Sequence, residues 1–243
     1  LRRGSVLEAY PLDWSLRDVG GLDELKRWLG ERERAFSNEA REFGLPEPRG
    51  LLLMGVQGCG KSLSAKAVAG LWRLPLLRLD LSELFGASHP ESELRRSLKV
   101  AEAMSPDVLW IDEIDKIFDS QAEGTAGRVL GTIVTWLQEK RAPVFVIATA
   151  NEVDKLPPEL TRRGRFDGIF FVDLPDVHER EEILALHIAR RQRDPKNYDL
   201  QAAAVAANHF AGSELEQVVV GGLYRAFAEK RDLVQDDLLA EIQ

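Results

Sequence analysis

Eight residues early in the chain have the spacing of a phosphate-binding loop: Gly55-Val56-Gln57-Gly58-Cys59-Gly60-Lys61-Ser62. An apolar run at 51–54 precedes them, and the segment at 63–69 has the composition of a helix. Because glycines adopt backbone angles that a Cβ forbids, successive N–H groups can surround a polyphosphate at the positive end of that helix. In such a loop the lysine reaches the β- and γ-phosphates and the serine hydroxyl binds Mg²⁺. We therefore predict a Mg²⁺–nucleotide site, whose loop residues are Gly55, Gln57, Gly58, Cys59, Gly60, Lys61, Ser62 and Leu63. The alternative is a glycine-rich turn before a helix.

Two carboxylates, Asp112 and Glu113, directly follow a second apolar run at 108–111. A carboxylate at the end of a buried strand can hold Mg²⁺ through water, and the next one can polarise an attacking water. We assign Asp112 to the metal and Glu113 to the role of catalytic base. Alone, the pattern also fits a strand that ends in a solvated loop, but its position after a phosphate loop favours the catalytic interpretation.

Asn151 ends the next apolar strand, at 144–148. Since the carboxyl ends of strands in open α/β sheets converge on the ligand crevice, its amide could orient the attacking water. An ordinary turn asparagine is the alternative interpretation.

Apolar strands alternate with amphipathic helices up to residue 172, and no strand signal follows Pro175. Alternation of this kind predicts an α/β fold with a parallel sheet sandwiched between helices. Capping-box patterns at Asp176 and Ser213 then predict helices. We predict a nucleotide-binding α/β domain over 1–175, with 1–17 as an extended lead-in, and a small all-helical domain over 176–243.

The overall composition narrows the class of protein. The net charge is −8, so the chain has no general attraction to nucleic acid or anionic lipid, and the basic run at 190–193 fits a solvated helix end. No apolar run approaches the roughly 20 residues that span a bilayer, and we expect a cytoplasmic protein with no membrane segment. Cys59 is the only cysteine, which agrees with a reducing compartment; its thiol could be reactive or inert.

The phosphate loop, the Asp-Glu strand and Asn151, together with the segment Arg162-Arg163-Gly164-Arg165-Phe166-Asp167, resemble the AAA family of ATPases, the narrow branch of the AAA+ group. Within that branch the chain is similar to uncharacterised AAA ATPases encoded in algal plastids and cyanobacteria. The resemblance implies ATP as the nucleotide, a P-loop NTPase fold and a helical lid. Arg162 and Arg165 match arginine-finger positions, which implies that they reach the γ-phosphate of a neighbouring subunit in a homo-oligomer, most simply a hexameric ring.

The resemblance also implies contacts to the nucleoside. Asp18, Val19 and Gly20 match a segment that packs against adenine through its backbone, and His187 matches a histidine near the ribose or adenine. Gly212 and Ser213 occupy the place where the wider group has a sensing arginine, so that backbone contacts would couple nucleotide and lid.

One segment departs from the family. Members that thread polypeptide carry an aromatic-hydrophobic pair where this chain has Ser88-His89-Pro90, so the resemblance does not extend to threading unless Phe85 supplies the grip. We expect a macromolecular client, most simply a protein. The alternatives are an ATP-gated assembly or scaffold module with slow hydrolysis, and a DNA-acting AAA+ loader, which the acidic balance disfavours.

Overall fold

The computed structural model describes residues 5–119, 123–162 and 164–243, and the side chains of Asp119 and Glu123 are not among the described ones. Arg163 of the arginine segment therefore lies outside the described residues. The chain divides into two compact units. The first consists of Leu1–Leu16, Leu25–Gly55 and Lys61–Phe171, and the second of Arg17–Glu24, Val56–Gly60 and Val172–Gln243. The predicted domain boundary at 175 stays a prediction.

A six-stranded sheet forms the centre of the first unit. Its strands are β1 (Leu7–Tyr10), β2 (Gly50–Gly55), β3 (Leu76–Leu79), β4 (Asp107–Ile111), β5 (Val144–Ala150) and β6 (Gly168–Val172). The order is β1-β3-β4-β5-β2-β6, and β3, β4, β5 and β2 pair in parallel. This arrangement confirms the α/β prediction, and it places the carboxyl ends of β4, β5 and β2 side by side.

The first strand corrects one expectation. β1 pairs antiparallel with β3, Leu7 opposite Leu79, within the segment that the sequence predicted as an extended lead-in. Four residues are too few to show a clear alternation, and here the pairing partner rather than the local pattern makes the strand. The sheet is therefore mixed at this edge.

Helices cover both faces of the sheet. They are α1 (Asp23–Gly30, mostly in this unit), α2 (Asn38–Glu42), α3 (Lys61–Trp72), α4 (Leu81–Gly86), α5 (Pro90–Met104), α6 (Glu123–Glu139) and α7 (Pro158–Thr161). On one face Leu109 packs in a buried cluster with Leu98 of α5 and Ile133 of α6. On the other, the Trp72 ring of α3 lies 4.6 Å from the Phe145 ring, centroid to centroid. Because both faces are covered, the central strands are apolar over most of their length, with Asp107 in β4 and Thr149 in β5 as polar exceptions.

The N-terminal segment is held against α3 by a lysine among aromatic rings. The Lys66 ammonium lies 5.3 Å from the ring centroid of Tyr10, 5.6 Å from that of Trp14 and 5.4 Å from that of Trp110. One helical turn later, a Cβ on Gly70 would lie 1.9 Å from the Trp14 carbonyl oxygen. Cation–π attraction and this close backbone approach together fix the segment before residue 17.

The second unit contains four helices: α8 (Val177–Arg190), α9 (Leu200–Ala206), α10 (Gly212–Ala228) and α11 (Gln235–Ile242). They share a buried cluster that includes Leu184, Leu215 and Leu238. None of the helices among the described residues combines the length and apolar character that crossing a membrane requires.

The two predicted capping boxes fared differently. Asp176 caps α8 as predicted, since its carboxylate accepts the N–H groups of His178 and Glu179 at 2.8 and 2.9 Å. The box predicted at Ser213 is wrong. Helix α10 begins at Gly212, one residue before Ser213, and the Ala211 N–H donates to the Glu214 carboxylate at 2.7 Å. The backbone N–H of Ser213 is instead used by the phosphate loop, as described below.

Asp107 begins β4 with a fully buried carboxyl group. Neither of its oxygens has a hydrogen-bond partner among the described residues. Burial raises the pKa of Asp107 to about 7, and the nearby Lys140 ammonium opposes that rise only in part. The folded state therefore holds this proton more tightly than the unfolded state does.

This raised pKa predicts a pH-dependent stability. Stability should fall as the pH rises from about 4 to about 7 and then level off, with a loss on the order of 2 to 4 kcal/mol from this group. Asp107→Asn, which cannot ionise, should lack that part of the decline. Urea denaturation of both proteins at about pH 5 and about pH 8 measures it. Asp154→Asn, at an exposed carboxylate, is the control. If the free energy of unfolding changes equally between the two pH values in wild type and in Asp107→Asn, the prediction is contradicted.

Candidate functional site

The phosphate loop connects β2 to α3 and takes backbone angles that favour glycine. Gly58 and Gly60 have φ values of +80° and +91°. The Gly58 carbonyl accepts the Ser213 N–H at 3.0 Å, and a Cβ on Gly58 would lie 2.3 Å from the Ser213 Oγ. Both partners of this contact belong to the second unit. The structure thus brings together two residues, Gly58 and Ser213, that the sequence assigned separately to the nucleotide.

Lys61 and Ser62 begin α3 with their polar atoms already directed to specific partners. Lys61 is only 5% exposed, and its ammonium donates to the Gly55 carbonyl at 2.8 Å. The Ser62 hydroxyl donates to Asp112 Oδ1 at 3.0 Å. Serine and aspartate oxygens are ligands that Mg²⁺ prefers, so this pair fits the predicted metal position.

Thr149 of β5 completes this contact, and the sequence analysis did not single it out. Its hydroxyl donates to the same Asp112 Oδ1 at 2.7 Å and accepts the Glu113 N–H at 2.9 Å. Thr149 is 1% exposed, so these bonds are made without competition from water. The only signal in the sequence was a hydroxyl residue inside an otherwise apolar strand.

Glu113 follows β4 in a left-handed backbone conformation, with φ at +52°. A non-glycine residue in this region is uncommon and marks a position that its surroundings hold in place. Its Oε1 accepts the Asn151 side-chain amide at 3.1 Å, and its Oε2 forms an ion pair with the Lys116 ammonium. The hydrogen bond to Glu113 is the largest cause of a raised pKa at Lys116. The structure therefore joins the two predicted catalytic residues directly and adds a lysine.

Asp115 fixes the backbone that carries Asn151. It is 4% exposed, and its Oδ2 accepts the N–H groups of Asn151 at 3.2 Å and of Glu152 at 3.0 Å. Asp115 was not predicted as a site residue, because an acidic residue after Asp-Glu resembles a solvated loop. Its burial and its two backbone contacts show a supporting role for Asn151.

The predicted adenine segment lies along α8 within the second unit. The Asp18 carboxylate pairs with Arg190 at 2.8 Å, and a Cβ on Gly20 would lie 2.6 Å from Ile183 Cγ1. Val19 is buried. The structure thus places the segment Asp18–Gly20 against α8. His187 belongs to the same helix, one turn after Ile183.

His187 is 8% exposed, and its Nδ1 lies 3.6 Å from Glu216 Oε1. Burial lowers the pKa of His187, and the neighbouring carboxylate opposes that shift. Glu216 also accepts a hydrogen bond from Arg191 at 3.0 Å, so its charge is shared. The imidazole is therefore neutral at neutral pH.

The arginine segment is anchored by the residues that follow the arginines. The N–H groups of Arg49 and Gly50 donate to Asp167 Oδ2 at 2.5 and 2.9 Å, and the Phe166 ring is buried in the core. Arg162 is exposed at the end of α7, and Arg165 is partly buried. No hydrogen bond joins either arginine to Glu113 or Asn151, so the structure does not bring the predicted fingers to the chain's own catalytic residues.

Comparisons with known proteins give a family match and several relatives. The family model described as "ATPase family associated with various cellular activities (AAA)" matches residues 51–174. An uncharacterised AAA domain-containing protein, ycf46 of Pyropia yezoensis, is 49% identical over 245 residues, which cover 98% of this chain and 50% of that protein. The protein of the same name from Guillardia theta is 47% identical over 245 residues, 98% of this chain and 48% of its own length.

A more distant relative has a more specific name. The proteasome-activating nucleotidase of Aeropyrum pernix is 36% identical over 241 residues, which cover 93% of this chain and 59% of that protein. The chain spans about half the length of the two ycf46 proteins that it matches.

The Thr149 contacts predict a stability cost for removing one hydroxyl group. Thr149→Val keeps the shape but leaves the buried Glu113 N–H without an acceptor, and we expect a loss of about 1 to 3 kcal/mol in the free energy of unfolding. Chemical denaturation measures this loss. Thr135→Val makes the same exchange at an exposed position of α6 and should change stability little. Equal stability of Thr149→Val and wild type would show that the two hydrogen bonds of the Thr149 hydroxyl do not stabilise the folded state.

Proposed function

Because the chain belongs to the AAA family of ATPases, we propose that it is a Mg²⁺-dependent ATPase that acts as an oligomer of identical subunits and remodels a protein partner. The observation that carries the proposal is the connected set of hydrogen bonds from Ser62 through Asp112 and Thr149 to Glu113 and Asn151. A set of this kind links a phosphate loop to a water-activating carboxylate.

The phosphate end of ATP would be held by the loop and by the first turn of α3. Backbone N–H groups where the loop passes into the helix, including those of Gln57, Cys59 and Leu63, would face the phosphates. Charged phosphate oxygens are stronger acceptors than the Gly55 carbonyl, so the Lys61 ammonium would transfer to them. Ser62 would hold Mg²⁺ directly and Asp112 through water, and the bound metal would neutralise charge on the β- and γ-phosphates.

Glu113 and Asn151 would act on the attacking water. Asn151 fixes the Glu113 carboxylate and is itself fixed by Asp115, so the direction of the carboxylate is set before any ligand binds. A carboxylate held in this way can accept a hydrogen bond from water and direct its oxygen at the γ-phosphate. The acid-base work thus falls to Glu113 and the alignment to Asn151.

The nucleoside end would be recognised in the second unit. Asp18, Val19 and Gly20 would contact the base through their backbone, and the neutral, buried His187 would present a ring edge without the cost of desolvating a charge. The hydrogen bond between Ser213 and Gly58, next to Gly212, would let loop geometry and α10 respond to the nucleotide together.

Arg162 and Arg165 would serve the site of a neighbouring subunit. Arg162 is exposed and forms no ion pair with another described residue, which leaves its guanidinium available to a phosphate from outside the chain. Sharing the site between subunits requires head-to-tail contacts, and such contacts close into a ring when the rotation from one subunit to the next permits it. We propose a hexamer on the strength of the family.

A protein client is supported by the name of one relative, the proteasome-activating nucleotidase. Threading is not part of the proposal, because Phe85 packs partly buried against the core and Ser88-His89-Pro90 contain no Phe, Tyr or Trp.

A second candidate is an ATP-gated assembly module with slow hydrolysis. The specific observation in its favour is that both oxygens of Glu113 are already engaged. Turnover that no protein partner stimulates, together with nucleotide-dependent assembly, would select this candidate.

Glu113→Gln tests the catalytic base. The amide keeps the size and loses the charge, so ATP binding should be retained while hydrolysis falls by at least about a hundredfold. Binding is measured with a fluorescent ATP analogue, hydrolysis by phosphate release, and assembly, which ATP should stabilise, by electron microscopy. Glu42→Gln, on the exposed surface of α2, is the control. A variant that hydrolyses ATP at the normal rate would remove Glu113 from its assigned role.

Mixing two inactive variants tests the shared site. Arg162→Ala should bind ATP and lose about a thousandfold in turnover, whereas Arg141→Ala, at an exposed arginine before β5, should not. In mixed oligomers an Arg162→Ala subunit still supplies Glu113, and a Glu113→Gln neighbour still supplies Arg162. Activity should therefore reappear on mixing. Mixed oligomers as inactive as either parent would rule out arginine donation between subunits.

A further inference from the structure

We propose that Lys116 restrains Glu113 and thereby lowers the rate of ATP turnover; this inference rests on the proposed ATPase function. The observation behind it is that both oxygens of the assigned base already have a partner. Its Oε1 is bound by Asn151 and its Oε2 by the Lys116 ammonium, so a cation occupies one side of the carboxylate.

The local fold enforces this contact. Residues Ile114–Asp119 form a 3₁₀-helix, and the Lys116 N–H donates to the Glu113 carbonyl at 2.9 Å. Glu113 precedes this helix with a left-handed backbone that directs the chain into the turn. The turn is short, and the ion pair shows that the side chains of Glu113 and Lys116 lie on the same side of it.

Charge strengthens the contact and gives it a consequence. Lys116 faces three carboxylates, those of Asp112, Glu113 and Asp115, and their attraction keeps it in the ammonium form. The ammonium ion lies on Oε2, the oxygen that the bond from Asn151 leaves for the attacking water, and it competes with water for that oxygen. This competition opposes water activation by Glu113.

The exposure of the pair makes the restraint reversible. The Lys116 side chain is 52% exposed and that of Glu113 is 30% exposed, so the ion pair is partly screened by solvent. Exposed pairs are typically weak, and an acidic group of a bound partner could compete for Lys116. The restraint is thus of a size that binding of a protein can remove.

The test compares Lys116→Met with wild type in steady-state ATP hydrolysis by the assembled protein. Lys116→Met keeps the aliphatic stem and removes the charge. The kcat should rise about two- to fivefold, which corresponds to losing an exposed ion pair of about 0.4 to 1 kcal/mol, while KM stays unchanged. Lys116→Arg should restore most of the restraint. Raising the salt concentration should bring the kcat of Lys116→Met and that of wild type closer together, because screening weakens the ion pair in wild type.

Lys155→Met is the matched control. Lys155 and Glu152 form another Lys–Glu pair three residues apart, at 2.8 Å, that does not involve Glu113. An equal rise in kcat for Lys155→Met would point to a general effect of charge and overturn the proposal. So would a kcat for Lys116→Met at or below that of wild type.

If neither wild type nor Lys116→Met hydrolyses ATP, the proposed function fails together with the restraint. If wild type hydrolyses ATP and Lys116→Met merely equals it, the restraint alone is wrong.

Discussion

The Oδ1 atom of Asp112 is the point at which the candidate site is held together. It accepts hydrogen bonds from Ser62, just beyond β2, and from Thr149 on β5, while Asp112 itself directly follows β4. These are three neighbouring strands of the sheet, so a single carboxylate oxygen sets the relative position of their ends. Thr149 extends the contact to the Glu113 backbone. The phosphate loop and the water-activating residues are thereby fixed by the same atom.

Several parts of this site could be predicted because their chemistry requires particular residues at short range. The glycines before Lys-Ser identify the loop Gly55–Ser62 in the sequence. Asp112 and Glu113 are identified by their position as two charges at the end of an apolar run. The alternation of strands and helices indicated the α/β fold for the same reason: a buried parallel strand must be apolar on both sides. The local sequence pattern was sufficient wherever the residues of one short segment determine the feature.

Most of what could not be predicted depends on partners distant in sequence. Thr149 resembles an ordinary β-branched strand residue until Asp112 and the Glu113 N–H are placed beside it. Asp115 and Lys116 resemble solvated charges until the 3₁₀ turn brings them to Asn151 and Glu113. The Ser213 cap was wrong because its N–H had a better acceptor in Gly58, more than one hundred fifty residues earlier. Strand β1 was missed for a similar reason, since only β3 gives it a register.

The aromatic setting of Lys66 has a mechanical meaning. Tyr10 and Trp14 fasten the N-terminal segment to α3, the helix whose first residues are Lys61 and Ser62. A force that pulled on this segment would act on the sheet, through the pairing of β1 with β3, and also on the helix that carries the phosphate contacts. In the reverse direction, a shift of α3 would be transmitted to the segment through the contacts of Lys66 with Tyr10 and Trp14. Any group attached to the segment would then respond to the conformation of the phosphate loop.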